Sequence, residues 1–154
     1  MEENRGMGNK TVRIQVIGTQ SLPDREPDEP EERIEFVTVG TYHLRFADFY
    51  VIYQESELTG MAGVTTSLRV HGGRVTLNRM GAAELKQEFE LGVLHRSVYN
   101  TSFGSLWLSV LTKRIETDLT AQGGRISLDY DLFVDDELVS HNGLAIIIKE
   151  EPFR

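Results

Sequence analysis

The chain has 154 residues, 40% hydrophobic and 26% charged, a length and balance that suit one globular domain with a core of its own. Against 16 Lys and Arg stand 24 Asp and Glu, and the net charge of -8 argues against bare nucleic acid or an anionic membrane surface as partner. The absence of cysteine removes a disulfide framework, a thiolate metal site and a cysteine nucleophile together.

The first residues, Met1-Glu2-Glu3-Asn4-Arg5-Gly6, are acidic and polar, and no apolar run follows them. A secretory signal is therefore not expected, and a cytoplasmic location is the default. Residues 1–10 read as a flexible N-terminus and residues 11–150 as a single domain. Within that domain the dominant period is two, the mark of half-buried strands. Val12, Ile14 and Val16 alternate with Arg13 and Gln15. Residues 21–32 interrupt the pattern. The segment 24–33 reads DREPDEPEER and carries net -4, half of the chain's total, with Pro27 and Pro30 inside it and Pro23 just before. Such a stretch offers no apolar face to pack and lacks amide donors at each proline, so it reads as a solvated, mobile loop. A docking tail for a basic partner is the functional alternative.

Alternation resumes at Ile34, Phe36 and Thr38, and again at Val64, Thr66, Leu68 and Val70, then Val75 and Leu77. Between the last two runs lies His71-Gly72-Gly73-Arg74, a hairpin signal. Residues 81–90, GAAELKQEFE, admit two readings. Leu85 and Phe89 stand four apart as on a helix, but Leu85, Gln87 and Phe89 also alternate with Glu84, Lys86 and Glu88 as on a strand. The surrounding period selects the strand. Further on, Ile126, Leu128, Tyr130, Leu132 and Val134 alternate with Ser127, Asp129 and Asp131, which are assigned to the solvent face. Ala47-Asp48, residues 100–104, Gln122-Gly123-Gly124 and Asp135-Asp136 supply further turns. Strand after strand with short turns implies an antiparallel meander. Closing it removes the bare edges, so the predicted fold is all-β, an antiparallel up-and-down barrel of about 8–10 strands.

Three segments carry a family resemblance: YQESELTGMAGVTT at residues 53–66, HRSVYNTSFG at 95–104 and LDYDL at 128–132. Together they resemble the YwiB-like family of small, uncharacterised bacterial proteins, over about residues 11–149. The resemblance implies a calycin-type (lipocalin-like) β-barrel and no particular activity. Calycins often carry small apolar ligands, an analogy at the level of fold alone. Two departures are visible: Thr101-Ser102-Phe103-Gly104 stands where the family often has Thr-Pro-Tyr-Gly, and the loop at 23–32 is longer and more acidic.

Known chemical motifs are missing. No two histidines stand at metal-ligand spacing, and the acids at 129–137 do not fit a calcium loop, so neither a metal nor a cofactor is expected. There is no Gly-x-Ser-x-Gly elbow and no phosphate loop. The aromatic cluster Tyr42, Phe46, Phe49, Tyr50 and Tyr53 reads as core and barrel wall rather than as a platform for bases. What stands out is a set of polar residues in phase with apolar ones. Tyr53 and Glu55 continue the face of Phe49 and Val51, Arg79 that of Val75 and Leu77, and His95, Ser97 and Tyr99 that of Val93. On inward faces they would gather a cation, an imidazole, two phenols and a carboxylate, which must pair or meet a ligand.

The candidate ligand-binding residues are therefore Arg79, His95, Tyr53, Glu55 and Tyr99, converging on one end of the barrel. A mouth loop contains Glu57, Thr59, Gly60 and Met61. An Arg79–Glu55 ion pair serving stability alone is the simpler alternative. Three functions follow in order: a barrel that binds a small, partly apolar or acidic ligand; a filled barrel that acts as an interaction module; and an acid–base enzyme using Glu55, His95 and Tyr99. Oligomeric state is not legible in the sequence.

Overall fold

The computed structural model describes residues 9–151, and within them the period-two runs become ten strands. These are β1 (Lys10–Ser21), β2 (Glu32–Arg45), β3 (Asp48–Gln54), β4 (Val64–His71), β5 (Arg74–Gly81), β6 (Leu85–Glu90), β7 (Leu94–Thr101), β8 (Gly104–Thr120), β9 (Gly123–Val134) and β10 (Glu137–Glu150). A single 3-10 turn, Glu57–Thr59, is the one helical element among the described residues. The ambiguous segment at 81–90 is a strand, with Leu85, Gln87 and Phe89 buried and their alternates more exposed.

Strand order around the sheet is β6-β5-β4-β3-β2-β1-β10-β9-β8-β7, and all the paired strands are antiparallel. Each strand lies beside its chain neighbour, as a meander of short turns demands. Gly72 takes φ 60° in the predicted His71–Arg74 hairpin, and Asp135 and Asp136 take φ 49° and 71°, the left-handed pair of a two-residue hairpin turn. The first and last strands close the ring through a full ladder, from Val12 opposite Glu150 to Ser21 opposite His141.

The other junction, between β6 and β7, is a seam without a ladder. Glu84 and Asn100 exchange backbone hydrogen bonds of 2.9 and 3.0 Å at one end. At the turn, Gly92 N–H donates to Thr112 O at 2.9 Å. Between these points side chains do the joining. The Gln87 amide donates to the His95 carbonyl at 3.1 Å and accepts from the Ser97 hydroxyl at 3.0 Å. The barrel is thus nearly closed, with an amide side chain standing in for missing ladder bonds.

Inward faces of both halves meet in one core. Val12, Ile14 and Val16 from β1 join Val51, Leu68, Val75, Leu77, Phe89, Ile126, Leu128, Ile146 and Ile148. One glycine is required by this closeness: a Cβ on Gly40 would lie 2.2 Å from the Ile52 carbonyl and 2.6 Å from the Ile14 side chain. Strand β2 can pass between β1 and β3 there only without a side chain.

Four expectations need correction. Asp131 belongs to the outer face by phase but is only 9% exposed, because His141 and Lys113 cover its carboxylate at 2.6 and 3.3 Å. Phe46 is no part of the wall: it is 82% exposed in the β2–β3 turn at φ 60°. Tyr50 faces outward and stacks on His43 at 4.7 Å. Lys10, assigned to the flexible N-terminus, already pairs in β1; residues 1–8 of that segment lie outside the described residues. The acidic loop spans 22–31, exposed almost throughout, with turns closed by Arg25 N–H to Leu22 O and Glu29 N–H to Glu26 O.

Candidate functional site

Register places the polar residues. One rung crosses three strands: Tyr53 on β3 stands opposite Thr66 on β4, and Thr66 opposite Arg79 on β5. Two residues beyond Tyr53 the chain leaves β3, and Glu55 N–H donates to Val64 O at 2.9 Å. That bond keeps the Glu55 side chain over the same rung. Its carboxylate is almost completely buried.

The partners of that carboxylate are unequal. The Thr66 hydroxyl donates to it at 2.5 Å. The Thr59 hydroxyl lies 3.3 Å away, but its single proton has a nearer acceptor in the Ser56 carbonyl at 2.8 Å. Arg79 Nε stands 3.7 Å off, an ion pair too long for a hydrogen bond, and that buried nitrogen has no hydrogen-bond partner. About a fifth of the Arg79 side chain remains exposed. Tyr53 is buried beside them, and its hydroxyl pKa is raised, first by burial and then by the Glu55 charge. Across the barrel, burial likewise raises the Tyr130 hydroxyl, while the Arg79 charge and a hydrogen bond with Asn142 pull the other way.

These groups line an open pocket of about 200 Å³ at one end of the interior. Val16, Ile34, Phe36 and Leu144 form its apolar wall, and Tyr53, Glu55, Arg79, Tyr130 and Asn142 its polar side. Thr59 and Met61 reach it from the mouth loop; Glu57 and Gly60 do not line it. Gly60 instead caps the 3-10 turn at φ 76°, with Ser56 accepting from Leu58 N–H at the other end. Glu32 adds a carboxylate at the rim.

The structure brings Tyr53, Glu55 and Arg79 together and leaves His95 and Tyr99 outside the pocket. Both lie on the half-buried face of β7, so the phase argument holds for them. Their place around the ring does not follow from phase. Strand β6 stands between β5 and β7, and Gln87 on β6 engages His95 at the seam, with Glu88 N–H donating to the His95 Nδ1 at 3.2 Å. The trio Glu55, His95 and Tyr99 is therefore not assembled. Tyr130 and Asn142 were missed as site residues, although the signal existed: each is a polar residue in step with an apolar run, Tyr130 with Leu128 and Leu132, Asn142 with Leu144 and Ile146. Among the described residues no three His, Asp or Glu side chains gather as metal ligands.

Comparison with known proteins agrees with the architecture. A family model described as a domain of unknown function, DUF1934, matches residues 7–146. The uncharacterised β-barrel protein YwiB of Bacillus subtilis is 39% identical over 112 residues, covering 73% of this chain and 78% of YwiB. The crystal structure of the ywiB protein from Bacillus subtilis superposes with a TM-score of 0.80 at 29% identity, covering 97% of this chain and 99% of that one.

Proposed function

The chain belongs to the DUF1934 family of unknown function, and from its barrel geometry we propose that it is a cytoplasmic protein that binds a small, partly apolar ligand in the open end of the barrel. One observation carries the reading. Beside the aliphatic and aromatic core, a single rung holds Tyr53, Thr66 and Arg79 over the buried Glu55, and an open pocket of about 200 Å³ is lined by Tyr53, Glu55 and Arg79. A cavity of about 150 Å³ holds benzene. The volume therefore suits a ring or short branched chain with one polar head.

Arg79 is the one cation among the lining residues, and its guanidinium is only loosely tied to Glu55. An acceptor on the ligand, a carbonyl or carboxylate oxygen, would complete it. Tyr130 and Asn142 stand on the opposite wall to fix orientation. An acid–base enzyme built on Glu55 and His95 is disfavoured, since Gln87 holds the imidazole at the seam.

Native mass spectrometry of freshly purified protein tests the proposal. A small adduct that persists through gel filtration and is lost in Arg79→Ala, with the circular dichroism spectrum unchanged, is the expected result. A bare chain mass in every preparation, together with no response to a panel of small carboxylic acids and amides, would count against it.

A further inference from the structure

Large apolar side chains are exposed at fifteen positions among the described residues, and seven of these fall in residues 91–107: Leu91, Val93, Leu94, Val98, Phe103, Leu106 and Trp107. Register shows that part of this set forms one outer surface. On β7 the half-buried residues are His95, Ser97 and Tyr99, so Leu94, Arg96 and Val98 face out. Opposite them on β8 stand Leu111, Ser109 and Trp107. Ser109 continues to Phe133 on β9, and Phe133 to Leu138 on β10. Ser109 is only 3% exposed although it lies on an outer face, so the larger side chains around it cover it. The Arg96 guanidinium lies 4.6 Å from the centroid of Trp107.

Charge sets this surface apart as well. Residues 91–115 hold Arg96, Lys113 and Arg114 and not one Asp or Glu, in a chain of net -8. We propose that the outer face of β7 and β8 is a two-fold dimer interface whose occupant is a second copy of the same chain. Two molecules of net -8 repel one another, and they meet at less cost where carboxylates are few and apolar side chains are exposed. A two-fold contact must also be self-complementary. The surface supplies both signs: Arg96 within it and Asp136 beside it stand 3.8 Å apart and each is more than half exposed, so each can turn to its opposite on the other copy. The contact would also brace β7, the strand that the seam leaves without a ladder on its β6 side.

Trp107 is the only tryptophan and sits within the surface, so it reports occupancy directly. Light scattering after gel filtration should give the mass of two chains at high micromolar concentration, and dilution should red-shift the Trp107 emission as the mass halves. Leu94→Glu and Val98→Glu should each weaken the dimer at least about thirtyfold, the effect of losing a central anchor, with circular dichroism unchanged. If either variant misfolds, Arg96→Asp should weaken association and a second change, Asp136→Arg, should restore it. A single-chain mass at every concentration would overturn the proposal. So would a dimer that survives these changes with the Trp107 emission unaltered. A monomer whose Trp107 emission shifts only with anionic vesicles would assign the face to a membrane and overturn it equally.

Discussion

The two ends of the barrel interior solve the same problem in opposite ways. At the filled end, Tyr42 is fully buried and stacks on Phe49 with ring centroids 6.0 Å apart. Its hydroxyl crosses to β8 and donates to Thr120 O at 2.6 Å. That hydroxyl is satisfied by the protein itself, and the ring fills the space. At the open end Tyr53 is buried nearly as well, yet it sits beside a carboxylate, a loosely held guanidinium and a pocket. Burial of polar groups is costly unless they are paired, so a fully matched end reads as structure and an under-matched end as a place for a ligand.

Substitutions should separate the two ends. The largest loss belongs to the filled interior: Phe89→Ala removes a ring that is 2% exposed and packed against Tyr130 at 4.9 Å, and should cost about 3–5 kcal/mol in denaturant unfolding. Next comes the loose pair. Arg79→Ala leaves the Glu55 carboxylate with Thr66 as its closest partner and should cost about 2–3 kcal/mol, below the usual range for a broken buried pair because the guanidinium is partly solvated. Adding Glu55→Gln should recover most of that stability and none of the ligand affinity. A double variant that regains binding would show that Arg79 acts only as a counter-ion.

Tyr42→Phe ranks third. It strips the Thr120 carbonyl of its hydroxyl donor and should cost about 1–3 kcal/mol without touching the pocket, which unfolding curves and a ligand titration can report side by side. The smallest effect is a dependence on pH from the outer face. Hydrogen bonds from His71 and Arg69 hold the Asp48 carboxyl below its ordinary value, against the opposing pull of burial. At Asp131 burial pulls upward, but His141 and Lys113 outweigh it and the net shift is again downward. A depressed carboxylate contributes stability above its unfolded pKa, about 3.9, and loses that contribution as the pH falls through the folded value. Thermal midpoints should therefore decline as the pH drops through 4, and less steeply in Asp48→Asn and Asp131→Asn.

How much of this was legible depended on what a period of two can say. It separates inward from outward, and it did so for Val12, Ile14 and Val16, for the strand at residues 85–90, and for Tyr53 with Arg79. It says nothing of position around a ring. That is why His95 and Tyr99, correctly phased, were expected at a pocket from which β6 separates them. Solvent exposure is also poorly predicted by phase alone: Asp131 lies on the outer face, yet His141 and Lys113 shut it away from water. The seam left a trace in the sequence only as Gln87, an amide in line with Leu85 and Phe89. The apolar outer face of β7 and β8 left a plainer one, since Leu94 and Val98 stand on the face opposite the His95, Ser97 and Tyr99 run.

The pocket itself is tested most directly by a 1H–15N correlation spectrum titrated with benzoate and, in parallel, with its uncharged match benzamide. Amides at the open end, those of Gly18, Thr59 and Gly143 among them, should shift with either probe, while those flanking Tyr42 stay still. The shifts should vanish in Arg79→Ala. No response to either probe at millimolar concentration, or shifts centred on Tyr42 and Phe49, would contradict the division of the barrel into a filled end and a binding end.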